Sequence, residues 1–176
     1  PEPQRFGLTT RLIDLTVSEE VWALFDPAAS LPRDPATLIV ETSGTAVLDV
    51  DLTDEAAMSA LGEVPPGKLM SFDLAALQLK LAGADLTGNG ALTFDNSDLV
   101  TFDGLPVPTG TINLMLAGGN ALLDKLIALG YVQQEQALQA RMMMGMFARP
   151  GAAPDTLTST LEFRDKGVFV NGMQVK

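Results

Sequence analysis

The sequence predicts an α+β fold: a curved antiparallel sheet with a C-terminal helix pair packed on one face. Three observations carry this. Apolar and polar residues alternate through segment after segment, the period of a half-buried strand. Two apolar helical segments fall within Asn120–Arg149 and share a short connection, which makes them antiparallel neighbours. Turn signals stand at almost every joint, as at Asp165-Lys166-Gly167 between Thr156–Arg164 and Val168–Val170. Roughly six to eight strands are expected, in a single domain spanning residues 1–176.

Each element has its own signal. Ile13, Leu15 and Val17 alternate and predict a strand with these residues on its core face. Ser18 then reads as an N-cap, with Glu19 and Glu20 in the first turn and Val21, Trp22, Leu24 and Phe25 as the buried side of a short helix. The prolines of Leu31-Pro32-Arg33-Asp34-Pro35 keep that stretch extended. Thr37–Thr42 is β-branched and apolar, Ser43-Gly44 predicts a turn, and Ala46, Leu48, Val50 and Leu52 alternate after it. Asp54–Leu61 has room for one or two helical turns.

Met70, Phe72 and Leu74 lead into Leu77, Leu79 and Leu81, read as two strands. The parity change near Ala75-Ala76 predicts a bulge or bend. Leu86, Leu92 and Phe94 form the next strand, where Gly88 and Gly90 permit a kink or a close approach. Asp98–Val107 is a loop turning at Asp103-Gly104, and Ile112, Leu114 and Leu116 follow as a core face. The first long helix packs Leu122, Leu123, Leu126, Ile127 and Leu129 before Gly130. The second places Leu138, Met142 and Gly145-Met146 at four-residue intervals, with Ala137, Met144 and Phe147 close by, and stops at Pro150.

Composition excludes whole classes of chemistry. There is no Cys and no His, so thiolate nucleophiles, disulfides, imidazole bases and ordinary zinc sites are absent. Eleven basic residues against 22 acidic ones give a net charge of −11, which repels nucleic acid and anionic membrane surfaces. No apolar run is long enough to span a membrane. Pro1-Glu2-Pro3-Gln4 has neither the charge nor the apolar core of a leader, which predicts a fragment or mature piece of a longer protein.

Few residues suggest a site. Asp85, Thr87 and Asn89 with Gly90 and Leu92 imitate the first half of a calcium loop, but position twelve is Asn96 where a bidentate Glu is needed. A kinked strand joint is the plainer reading. Asp49, Asp51, Asp54 and Glu55 cluster, and Asp49 and Asp51 are expected on one strand face. There a cation has two ligands, or the carboxylates simply face water. Carboxylate-pair hydrolysis needs two acids across a cleft, which neighbours on one strand do not make. No metal or cofactor is expected, and no catalytic residue is assigned. The candidate for recognition is Met142, Met143, Met144, Met146 and Phe147. Methionine is flexible and polarisable, suited to lipid tails or partner helices. Four Met within five residues cannot all point one way, so part of the run faces something other than its own sheet. The alternative is a helix buried between its neighbour and the sheet.

Leu86–Phe94, Thr109–Leu114, Leu122–Leu126 with Gly130, and Leu161–Val170 form a pattern, which Trp22 and Leu31–Pro35 also fit. From about Leu69 to Lys176 the chain resembles the C-terminal part of the alphaproteobacterial domain-of-unknown-function 2125 proteins, themselves similar to AsmA-like envelope proteins. The resemblance implies a periplasmic or envelope setting and lipid handling on a curved sheet with an apolar face. It assigns no catalytic residue. Three helices do not cover both sides of the expected sheet, so an apolar groove is expected to remain. The expected function is a non-enzymatic envelope module that binds a lipid-like ligand or a partner through that groove. The alternative is a structural or accessory subunit of a larger membrane-associated assembly.

Overall fold

A computed structural model describes residues 2–62 and 65–176. In chain order the elements are β1 (Gln4–Leu15), α1 (Glu19–Phe25), β2 (Ala36–Leu48), α2 (Glu55–Leu61), β3 (Gly67–Leu81), β4 (Ala84–Asp95), β5 (Val107–Ala117), α3 (Gly119–Ala128), α4 (Gln134–Phe147), β6 (Arg149–Pro150), β7 (Thr156–Arg164), β8 (Gly167–Val170) and β9 (Met173–Gln174). The nine strands among the described residues join one open sheet in the order β1-β2-β3-β4-β5-β7-β8-β9, with β6 on β7. Every pairing is antiparallel. None of the described helices is long and apolar enough to cross a membrane.

The alternation seen in the sequence becomes two unlike faces. Register partners lie side by side on the same face. One row runs Leu12, Leu38, Leu79, Leu86, Leu116, Leu157 across six strands. Another runs Phe6, Gly44, Phe72, Leu92, Gly110, Phe163, Val168. Between them lie rows through Leu8, Leu74, Ile112 and Leu161, and through Val40, Leu77 and Leu114. The opposite face carries Arg11, Gln78, Thr87 and Thr158, interleaved with Ile39 and Met115, in one row and Thr45, Ser71, Thr93 and Thr109 in another.

Bulges keep these rows in phase and bend the strands that carry them. The expected irregularity at Ala75-Ala76 is present, but inside one continuous strand rather than between two. It lets Leu74 and Leu77 share a face. Ser43-Gly44 is not a turn: β2 runs straight through it. Glycine is there for close approach, since a Cβ on Gly44 would lie 2.3 Å from the Ser71 carbonyl oxygen and 2.6 Å from the Phe6 ring. β1 starts earlier than the pattern at Ile13 suggested and ends at Leu15, so Val17 lies outside it; Ile13 and Leu15 on this edge strand, and Val17 beyond it, are exposed.

The helix pair lies mid-chain and not at the C-terminus: it interrupts the sheet between β5 and β6, and four strands follow it. Its first helix is capped from a distance. Asp155 accepts from the backbone N–H groups of Asn120 (3.1 Å) and Ala121 (2.9 Å) and from the Asn120 amide (2.9 Å). Arg141 ties the second helix to the first, donating to Asp124 (2.6 Å) and Asn120 (3.2 Å).

The short helix α1 forms after Ser18, but the Ser18 side chain makes no capping bond. Its expected buried side is mostly open, with Leu24 75% exposed. It is held instead through Asp26 just past its end, the one fully buried large side chain among the described residues. Asp26 accepts from the N–H groups of Leu31 (2.7 Å) and Ser30 (2.9 Å) and faces Arg33 Nη1 at 3.4 Å. Arg33 also stacks over Trp22, 4.5 Å from the ring centre. Tyr131, between α3 and α4, donates its hydroxyl to the Phe25 carbonyl at 2.6 Å.

Burial alone would raise the Asp26 pKa, but the Leu31 and Ser30 N–H groups, then the Arg33 and Lys125 charges, outweigh it and hold the carboxyl below its usual range. A group lowered in the folded state stabilises above its unfolded value, near about 3.9, and loses that contribution as pH falls below it. Asp26→Asn should therefore lower the melting temperature by several degrees at pH 7, with a smaller loss at pH 3, read by circular dichroism. Gly44→Ala should cost about 1–3 kcal/mol by overpacking, measured by denaturant titration.

Candidate functional site

The buried apolar side chains among the described residues are Leu31, Ala82, Val107, Pro108, Ala137 and Val170. That is few for a chain with 47% hydrophobic residues. The chain exposes 11291 Å², where a compact monomer of this mass exposes about 8200 Å². The difference has a location. Leu8, Leu12, Leu79 and Leu81 on the apolar rows are exposed, and Phe72, Leu74, Leu77, Leu86 and Ile112 are only half-shielded. An apolar surface on this scale marks a place of contact rather than ordinary surface scatter.

Two cavities open on this face. One, about 530 Å³, is lined by Met143, Met144 and Phe147 of α4 and by Leu114, Leu161, Val168 and Val170 of the sheet. The other, about 490 Å³, lies at the opposite ends of β4 and β5 under the loop between them, against Leu92, Phe94, Phe102, Leu105 and Phe163.

The first cavity gathers three of the five sequence candidates. Met143, Met144 and Phe147 line it, whereas Met142 and Met146 point elsewhere, with Met142 65% exposed. The buried stripe of α4 is not Leu138, Met142 and Met146, which are all exposed. It passes through Ala137, 1% exposed, and the half-buried Ala140, Arg141 and Met144. A small residue at Ala137 lets the helix approach closely, and the spacing of three and four is kept on a different side.

Hydrogen bonds fix the end of α4 over the strands. The Phe147 carbonyl accepts from the Ser159 hydroxyl (2.6 Å) and the Asn171 amide (3.0 Å). Asn171 Oδ1 accepts from the Thr160 N–H (2.9 Å), and Arg149 donates to the Asn171 carbonyl (2.6 Å). Asn171 sits at φ 51°, a backbone that Asn tolerates better than most residues. Ser159 and the remote cap Asp155 carry no motif, and Asn171 shows in the sequence only as part of an Asn-Gly turn signal. Their partners are up to 35 residues away, a separation the alternation pattern does not encode.

The calcium-like segment Asp85–Leu92 is no loop but the body of β4. Asp85 accepts from the Gln78 amide at 3.1 and 3.2 Å on the polar face. Asp49 and Asp51 do not share a strand face, because β2 ends at Leu48. Asp51 accepts from the Thr53 hydroxyl (2.7 Å) and N–H (2.9 Å), which lower its pKa, and Asp54 caps α2. Among the described residues no three acids converge as a metal site would require.

Fold and site together define a class: an open, nine-stranded antiparallel sheet with one polar face and one largely uncovered apolar face. The chain belongs to the DUF2125 family, described as uncharacterized protein conserved in bacteria, whose profile matches residues 9–175. The likeness thus extends well upstream of Leu69. No curated protein and no solved structure matches.

Losing the Asn171 side chain leaves the Phe147 carbonyl and Thr160 N–H short of partners. Asn171→Ala should destabilise by about 1–3 kcal/mol, while Met142→Gln and Met146→Gln should stay within about 0.5 kcal/mol of wild type. Urea unfolding of the three variants checks the contrast.

Proposed function

We propose that this chain is a non-enzymatic periplasmic or envelope module whose apolar sheet face binds the acyl chains of a lipid-like ligand. One observation carries the reading: unbroken apolar rows cross six or seven strands and remain largely uncovered. Such a face is unfavourable in water by about 25 cal/mol per Å², so it calls for an apolar occupant. Hydrocarbon suits it because polar groups to fix a rigid, hydrogen-bonding ligand are scarce there: the first cavity offers Ser159 as its one polar side chain. The pair α3–α4 serves as a partial roof, with Met143, Met144 and Phe147 as the adaptable contacts. An AsmA-like manner of lipid handling fits this arrangement, as does the envelope setting that goes with it. The net charge of −11 speaks against nucleic acid as the partner.

A second reading, an accessory subunit of a membrane-associated assembly, has one feature in its favour. β1 presents a 12-residue edge without Pro or Lys, open to pairing with another strand.

Native mass spectrometry of protein purified from its own host should show adducts with lipid masses that disappear after organic extraction. A clean apo mass under gentle conditions would contradict the lipid reading. Light scattering that finds a stable complex with another protein would favour the subunit.

A further inference from the structure

The loop joining β4 to β5, residues 96–106, covers one end of the apolar face and is fastened from outside. Phe102 and Leu105 close the upper side of the 490 Å³ cavity, and Leu92, Phe94 and Phe163 form its floor. Beyond the Asn96 amide, which donates to the Leu69 carbonyl at 2.8 Å, the fastenings are ionic and lie away from the loop's own strands. Asp98 accepts from Lys166, in the β7–β8 turn, at 2.6 Å. Asp103 accepts from Lys176 at 3.0 Å, and the same ammonium lies 5.0 Å from the Phe102 ring centre. Within the loop, Asp98 also accepts from the Thr101 N–H (3.1 Å) and hydroxyl (2.8 Å), so the strap meets a locally rigid turn.

We propose that this loop is a strapped gate over a second apolar site, one that takes the end of a hydrocarbon chain. The cavity is separate from the methionine-lined one, shares its sheet face, and has Asn96 as its one polar side chain, whose amide is already bonded to the Leu69 carbonyl. The gate itself does not depend on the lipid reading given above; the identity of its occupant does.

The two fastenings differ in strength. Asp98 is 16% exposed, and its carboxyl is held well below the usual carboxylate range by Lys166 first and then by Thr101. Asp103 is 88% exposed and contributes less. Both fastenings are ion pairs with at least one exposed partner, so the gate responds to ionic strength. Exposed or part-exposed pairs of this kind hold a loop loosely enough to open.

The chain has no Cys, which makes single thiols clean reporters. Leu92→Cys places one beneath the loop, and Gln78→Cys places a control on the opposite face. Maleimide labelling at Leu92→Cys should accelerate roughly threefold or more when Lys166→Gln and Lys176→Gln are added, since both ionic fastenings are then lost. Raising salt in the parent should act in the same direction, with Gln78→Cys unchanged. Submicellar laurate should slow labelling at Leu92→Cys alone. Equal rates with and without the two lysines would overturn the gate. Faster labelling that laurate does not slow would overturn the hydrocarbon site while leaving the gate. Acceleration at Gln78→Cys as well would mean general loosening, and would also overturn the gate.

Discussion

The parity of side chains across the sheet is the constraint on which the rest depends. Successive side chains in a strand point to opposite faces, so a slip of one residue would move a whole strand's leucines to the wrong side. Here the register holds from β1 to β7 through the row that starts at Leu12 and ends at Leu157. Where the chain carries an odd residue, as at Ala75-Ala76, a bulge absorbs it and parity is restored. The apolar face is therefore a product of registration as much as of composition. A sheet built to bury both faces would show continuous apolar strands; this one keeps Arg11, Gln78 and Thr87 on its wet side.

The acidic residues have a different task from the one their number suggests. Asp26, Asp51, Asp54, Asp95, Asp98 and Asp155 each accept backbone N–H bonds at a turn or a helix start. In an open sheet with little core, such local caps replace part of what packing supplies elsewhere. They also fasten the covering elements: Asp155 sets the start of α3, Asp26 ends α1, and Asp98 anchors the loop. The acidity of the chain is thus partly structural, and the rest is solubility for a protein with so much exposed apolar surface.

Much of this was legible beforehand. The antiparallel sheet, the loop at Asp103-Gly104, the helical segments of 119–147 and the final hairpin follow from alternation, turn residues and helical spacing, all of which act over a few residues. What escaped was non-local or depended on exposure. Ser43-Gly44 looks like a turn in isolation, but Phe6 and Ser71 from neighbouring strands need the space that glycine leaves. Leu138, Met142 and Met146 look like the centre of the buried stripe but are exposed, and of the residues expected close by, Ala137 and Met144 are the ones that lie inward, because a small side chain permits the close approach. For the site, the sequence pointed to Met142–Phe147 as a block. Only Met143, Met144 and Phe147 meet the strands, and the second cavity had no signal because it is assembled from β3, β4, β5, β7 and a loop.

Site-specific photocrosslinking in the native host tests most directly whether hydrocarbon covers the apolar face. A diazirine side chain at Leu79 sits in the centre of the leucine row, and one at the adjacent Gln78 points to the polar side. Acyl chains on this face predict lipid adducts at position 79 and none at 78. Adducts at both positions alike, or at 79 only to protein, would contradict it.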